Sequence, residues 1–194
     1  MKVAIVKYNS GNVHSVANSL RRLNVEPVLT DNPDELKGAD KVIFPGVGEA
    51  SSAMSYLRET GLDRLIPDLK CDVLAVCLGM QLLCDHSEEN DSDCLAIVPY
   101  KVKRFPESIG KVPHVGWNAI GDLATPLFDG VPEGSHVYFV HSFFVDAGAD
   151  EIASTEYGRP FSSALRHENF YGVQFHPEKS SAVGSRILEN FLRL

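Results

Sequence analysis

The sequence predicts an α/β fold: a doubly wound, mixed β-sheet flanked by helices, in a single domain spanning residues 1–194. Three observations carry this. Short continuous apolar runs alternate with segments of helical periodicity in the first part of the chain, as buried parallel strands and their crossover helices do. From about residue 95 to 175 the pattern becomes short β-like runs broken by Gly and Pro. No repeat, low-complexity tract or interdomain linker interrupts a chain of 194 residues that is 44% apolar, enough for one substantial core.

The run Val3 to Tyr8, followed by Ser10 and Gly11, suits a central buried strand ending in a turn. Val13, Val16, Ala17, Leu20 and Leu23 recur at helical spacing, and the chain turns extended again near Pro27, Val28 and Leu29, completing a βαβ unit. A third strand, Val42 to Phe44, meets Pro45-Gly46-Val47-Gly48. Met54, Leu57, Leu62, Leu65, Ile66 and Leu69 follow at helical spacing, and a fourth strand, Val73 to Val76, ends at Cys77. The later runs 111–118, 136–145, 151–156 and 170–175 read as hairpins added to this sheet. A C-terminal helix gathers Val183, Ile187, Leu188, Phe191 and Leu192 on one face, with Ser180 and Ser181 as potential N-caps.

Composition narrows the function. A formal charge of −8 argues against a general nucleic-acid or anionic-membrane surface, which would need clustered Lys and Arg. No apolar run approaches the ~18 to 20 residues of a bilayer span, and the N-terminus lacks a signal-peptide pattern. The expectation is a soluble, cytoplasmic protein acting on a small molecule or with a protein partner. Cys71, Cys77, Cys84 and Cys94 show neither a paired nor a zinc-ribbon spacing, so no metal is expected, and no phosphate-loop or dinucleotide fingerprint points to a cofactor. Buried free thiols are the default for Cys71, Cys84 and Cys94.

Cys77 differs. It stands at the corner where a buried strand meets an apparent helix beginning Leu78-Gly79-Met80-Gln81, the arrangement of a nucleophile elbow, with Gly79 small enough for close backbone approach. A helix N-terminus would favour the thiolate, and the Leu78 N–H would point at a developing oxyanion. A buried strand-end cysteine is the alternative. Far downstream, Pro177 biases His176 towards an extended backbone, so that His176 and Glu178 can project to one side as in a strand and supply a base and its orienter. A surface turn is the alternative there. Both segments end apolar strands, where open α/β sheets bind ligands. His136 and His141, five apart in a strand-like run, fall on opposite faces and so share no metal. His14, His86, His114 and His167 carry no ligand pattern.

Residues 45–48 (PGVG), 76–83 (VCLGMQLL) and 175–180 (FHPEKS), in this order, resemble the class I, triad-type glutamine amidotransferases, whose flavodoxin-like fold agrees with the one derived above. The resemblance implies a glutaminase without a cofactor: Cys77 attacks the glutamine carboxamide, His176 exchanges the proton, Glu178 holds the imidazole, and ammonia leaves a γ-glutamyl thioester that water hydrolyses. It implies oxyanion donors at Leu78 and in the Val47/Gly48 loop, where Gly46 and Gly48 would let a peptide reorient. It puts Gln81, Glu89, Ser142 and Phe143 around glutamine, with Glu89 towards the α-ammonium. Glu89 also sits in an acidic run, 87–91, that could be a solvated loop.

The segments 112–118 (VPHVGWN) and 138–142 (YFVHS), with Lys179-Ser180, are more narrowly similar to the members that serve histidine biosynthesis. These deliver ammonia to a separate cyclase subunit, a (β/α)8 barrel, in a heterodimer. The chain itself shows no site for a phosphorylated acceptor, which fits a divided enzyme. Asn12, Tyr138 and Lys179 are the expected partner contacts, against the plainer reading of a core tyrosine and an exposed lysine. Glutaminases of anthranilate, aminodeoxychorismate or pyridoxal phosphate synthesis, a γ-glutamyl peptidase, and a partner-binding scaffold without catalysis are the competing readings; the 111–118 and 176–180 segments speak against the first group.

Overall fold

A computed structural model describes the chain except residues 10–12, so the expected contact Asn12 lies outside the described residues. The first half runs β1 (Val3–Val6), α1 (Val13–Arg22), β2 (Val28–Thr30), α2 (Pro33–Lys37), β3 (Lys41–Gly46), α3 (Ala50–Thr60), α4 (Leu62–Leu65), β4 (Asp72–Cys77) and α5 (Leu78–Leu82). Then follow β5 (Cys84–Ser87), β6 (Ser92–Asp93), β7 (Val98–Arg104), β8 (His114–Ala119), β9 (His136–His141) and β10 (Phe143–Val145). The chain ends in β11 (Glu151–Glu156), β12 (Pro160–His167), β13 (Phe170–Val173) and α6 (Ser181–Arg193).

The central sheet has the order β11-β12-β13-β4-β3-β1-β2. β2, β1, β3, β4 and β13 are parallel, and β12 and β11 close one edge antiparallel. Alternation along these strands divides the core between the two faces of the sheet. Ala4, Val6, Val42, Phe44, Val73 and Ala75 pack with Met54, Leu57, Leu62 and Met80 from α3, α4 and α5. Val3, Ile5, Ile43, Leu74 and Val76 pack with Val16 and Leu20 of α1 and with Ile187 and Phe191 of α6. Each large side chain so buried contributes about 2 kcal/mol of transfer free energy.

The mixed, doubly wound sheet with flanking helices is as predicted, but only β11–β13 of the later strands join it. β8 pairs with β9 in a separate two-stranded ribbon, and β10, β7, β5 and β6 form a sheet of their own. The burial alternation of β9 gives the reason. Its Val137, Phe139 and His141 are buried while His136 is exposed, a one-sided pattern unsuited to a parallel sheet covered on both faces, whereas β1 is buried along its whole length. α2 is an element that periodicity does not reveal; it is started by Asn32, whose side chain accepts from the Asp34 and Glu35 N–H groups, with Pro33 in its first turn.

Candidate active site

β4 carries Cys77 to the C-terminal edge of the sheet, where the chain turns sharply into α5 at φ 54° and ψ −110°. A non-glycine residue rarely adopts this conformation, and the packing beneath enforces it. Gly46 pairs with Cys77 across β3 and β4, and a Cβ on Gly46 would lie 2.4 Å from the Gly79 nitrogen. A Cβ on Gly79 would lie 2.2 Å from the Phe44 carbonyl oxygen. The elbow therefore exists because two glycines let backbone meet backbone. Gly46 is consumed by this packing, and freedom for a peptide reorientation rests with Gly48, which has φ 113° and nothing within 4 Å of an added Cβ. α5 is only five residues long, so its dipole gives Cys77 limited support.

The positive charge beside Cys77 comes instead from His176. β13 runs parallel to β4, with Val173 opposite Val76, so the segment after β13 arrives beside the elbow. His176 is in hydrogen-bonding contact with Cys77, and its Nδ1 donates to Glu178 Oε1 at 2.7 Å, both side chains fully buried. Burial disfavours the imidazolium, but the hydrogen bond and charge of Cys77, followed by those of Glu178, outweigh it and raise His176 to about 10. His176 and Glu178 do not extend as a strand: His176 is extended, but Pro177–Lys179 forms a 3₁₀ turn, which the fixed φ of Pro177 is suited to begin. The turn is stapled to β9, since His176 N–H donates to Tyr138 O at 2.9 Å and Ser180 Oγ accepts from Tyr138 N–H at 2.9 Å while donating to His176 O. That use of its hydroxyl explains why Ser180 precedes α6 without capping it through its side chain, and Ser181 is already the first helical residue.

A cleft of about 380 Å³ opens in front of Cys77 and is lined by Val47, Gly48, Leu78, Gln81, Glu89, Ser142 and Phe143, the whole set expected for oxyanion and substrate, together with Pro113, Val140 and His141. Glu89 is half-buried here and not a solvated loop: its Oε2 accepts from the Ala50 N–H at 2.8 Å, and burial pushes its carboxyl up. Gln81 is buried, with its Nε2 donating to Phe143 O at 3.1 Å and to Gln174 Oε1 at 2.9 Å. Gln174, to which the sequence assigned no role, is fully buried against Cys77. Among the other thiols, burial pushes Cys71 and Cys84 up and Cys94 up to about 12, which disfavours their thiolates. Among the described residues no His, Cys, Asp or Glu group could hold a metal ion, and no helix is long and apolar enough to cross a membrane.

The register of β8 and β9 sets His114 opposite His141, with His114 Nδ1 3.0 Å from His141 Nε2. His141 Nδ1 donates to Phe143 O at 2.7 Å, so His141 Nε2 accepts and His114 Nδ1 donates. His114 is stacked between Tyr157 and Phe139. Burial lowers His114 to about 4; burial, with the charges of His114 and His176, lowers His141 to about 3, so both are neutral at pH 7. A histidine lowered on folding stabilises above its unfolded pKa of about 6.5 and loses that contribution as pH falls through the folded value. Acidification from pH 7 to pH 4 is expected to remove on the order of 3 kcal/mol for each histidine of this pair. Urea midpoints at the two pH values check this, and His114→Gln should show a smaller difference.

Tyr138 and Lys179 lie outside the cleft. The Lys179 ammonium sits 5.8 Å over the Tyr138 ring, which meets Trp117 edge-on at 6.2 Å. Trp117 and Val115, on the same strand, are each 52% exposed, which makes the ribbon an apolar outer surface that the sequence reading did not foresee.

The model of the family described as glutamine amidotransferase class-I matches residues 4–194. A Bacteroides thetaiotaomicron protein named imidazole glycerol phosphate synthase subunit HisH is 55% identical, with 100% of both chains covered. A Shewanella sediminis protein of the same name is 44% identical over 98% of this chain and 89% of its own. Among solved structures, one described as a glutamine amidotransferase shares the fold at a TM-score of 0.76 and 19% identity, covering 98% of this chain and 97% of its own. A Thermotoga maritima glutamine amidotransferase does so at 0.66 and 18%, covering 100% and 83%. Matched along its whole length, the chain belongs to the class-I glutamine amidotransferases, in the branch of the imidazole glycerol phosphate synthase HisH subunits.

Proposed function

We propose that the chain works in the cytoplasm as one amidotransferase domain over residues 1–194, hydrolysing glutamine and passing the ammonia to a cyclase subunit of (β/α)8-barrel fold in a heterodimer. The pathway is histidine biosynthesis, in which the cyclase forms imidazole glycerol phosphate. The observation that carries the reading is the fully buried His176–Glu178 pair in contact with Cys77, which itself lines the cleft. The thiolate, favoured by the adjacent imidazolium, adds to the glutamine carboxamide carbon. The oxyanion is met by the Leu78 N–H and by the Val47/Gly48 loop. His176 gives its proton to the departing ammonia, leaving the γ-glutamyl thioester, and then takes a proton from the water that hydrolyses it. Glu178 keeps the proton on Nδ1 and balances the imidazolium charge. Glu89, half-buried on the cleft wall, suits the α-ammonium of glutamine, and the Ser142 and Phe143 backbone suits its carboxylate end.

A partner is required by the chemistry. Ammonia released into water is protonated near neutral pH and loses its nucleophilicity, so transfer has to be sheltered. The exposed Trp117 and Val115, with Tyr138 and Lys179 beside them, form an aromatic and cationic surface of the kind that anchors interfaces. The test mixes the subunit with a partner cyclase of (β/α)8-barrel fold and assays glutamine-dependent formation of imidazole glycerol phosphate. Weak glutaminase activity alone should rise when cyclase and acceptor nucleotide are added, and Trp117→Ala should weaken association by about tenfold or more. Equal turnover with and without cyclase would sink the coupling.

A further inference from the structure

Gln174 is absent from the mechanism above, yet it touches the reacting atom. It continues from β13 one step past the paired strand, is fully buried, and its Nε2 lies 3.6 Å from Cys77 Sγ. Its backbone N–H donates to Ser163 O at 2.8 Å, so both ends of the residue are held. The carboxamide orientation is set by its neighbours. Gln81 Nε2 donates to Gln174 Oε1 at 2.9 Å and to Phe143 O at 3.1 Å, which commits both Gln81 protons. A flipped Gln174 would set its oxygen against the sulfur and its NH2 against that of Gln81, two repulsions in place of two hydrogen bonds. The charged and titratable groups around Cys77 are His176 and Glu178 from the turn after β13, His141 from β9, and Glu89 across the cleft. His141 is committed to Phe143 O and His114, which leaves Gln174 as a donor to the sulfur that carries no charge and cannot titrate.

We propose that Gln174 is a catalytic hydrogen-bond donor to the Cys77 sulfur, oriented by Gln81, that stabilises the thiolate when it leaves the γ-glutamyl thioester. This rests on the glutaminase reading. In that step the water oxygen bonds to the acyl carbon, the water proton passes to His176, and the carbon–sulfur bond breaks with its electron pair going to Sγ. His176 is then occupied with the water proton, so a second, permanent donor meets the sulfur charge. The same bond favours the charged form of the sulfur over the neutral thiol, because a hydrogen bond to the charged form stabilises it.

The experiment follows alkylation of Cys77 by iodoacetamide against pH in the full chain, with peptide mass mapping to separate Cys77 from the other three cysteines. Gln174→Met keeps the length and removes the donor. Gln174→Glu keeps the shape and sets a carboxylate against the sulfur. Gln81→Leu leaves Gln174 in place but unheld, and reports even if a Gln174 variant fails to fold. The acid limb of the profile should move up by about one pH unit in Gln174→Met, a tenfold slower reaction on that limb, and further in Gln174→Glu. Gln81→Leu should move it the same way by less. During glutamine turnover the Gln174 variants should accumulate the thioester, seen by mass after acid quench. Acid limbs unchanged in the folded variants would overturn the role of Gln174 and leave the triad standing. A wild-type chain whose Cys77 reacts no faster than Cys71 or Cys94 would overturn the glutaminase reading itself.

Discussion

Cys77→Ala is expected to abolish glutamine hydrolysis, by on the order of 10⁴-fold or more, while the complex with the cyclase still makes imidazole glycerol phosphate from added ammonia. The size follows from what the substitution removes. The sulfur is the atom that bonds to the carboxamide carbon, and nothing else in the cleft can replace it. His176 and Glu178 lie behind Cys77, fully buried, and Ser142, which also lines the cleft, follows directly on the end of β9. The dissection is clean because alanine removes no large volume and leaves the cleft walls intact. Ammonia from solution bypasses this chain and reaches the cyclase, so synthesis from ammonia measures assembly and the acceptor site. Glutaminase activity retained in the variant would overturn the triad; loss of ammonia-dependent synthesis would mean that the substitution had damaged the complex. A diazo-ketone glutamine analogue offers a second check, since it should label the wild type and not the variant.

How much of this was legible in the sequence follows from how local each signal is. The elbow was legible because its parts are consecutive: an apolar strand, a cysteine, and a glycine two residues later. His176 and Glu178 were legible through Pro177, although the segment makes a 3₁₀ turn and not a strand. The parallel core strands declare themselves through unbroken apolar runs. The separate ribbon and the four-stranded sheet do not, because alternation identifies a one-sided strand without saying which sheet it joins. The pairing of His114 with His141 depends on the β8–β9 register, across 27 positions of sequence, and their spacing carries no sign of it. Gln174 stood in plain view between recognisable residues, but a neutral amide has no pattern; only the orientation imposed by Gln81 gives it chemistry. The exposure of Trp117 is equally invisible, since a lone tryptophan in a β-like run reads as core.

Gly79→Ala should be as damaging to the fold of the site as Cys77→Ala is to its chemistry. The added Cβ would lie 2.2 Å from Phe44 O and 3.2 Å from the Phe44 carbonyl carbon, and these atoms are backbone of β3 in the middle of the sheet. No side chain can rotate away. Either β3 moves, disturbing the Phe44–Ala75 and Gly46–Cys77 pairings, or the elbow lifts and Cys77 leaves its positive φ. Overpacking against backbone costs about 3 kcal/mol, visible as a lower urea midpoint. A shift of even 1 Å at Sγ separates it from His176, from Gln174 and from the oxyanion donors, and should lower glutaminase turnover by about 10²-fold in whatever fraction remains folded. Gly46→Ala intrudes on the same contact from the opposite side, at 2.4 Å from the Gly79 nitrogen. Once either alanine has forced the two segments apart, the second meets less resistance, so the double variant should cost less than the sum of the single ones. Additive losses would mean that the two glycines serve separate contacts, and a Gly79→Ala protein of wild-type stability would mean that the elbow is not held by this backbone approach.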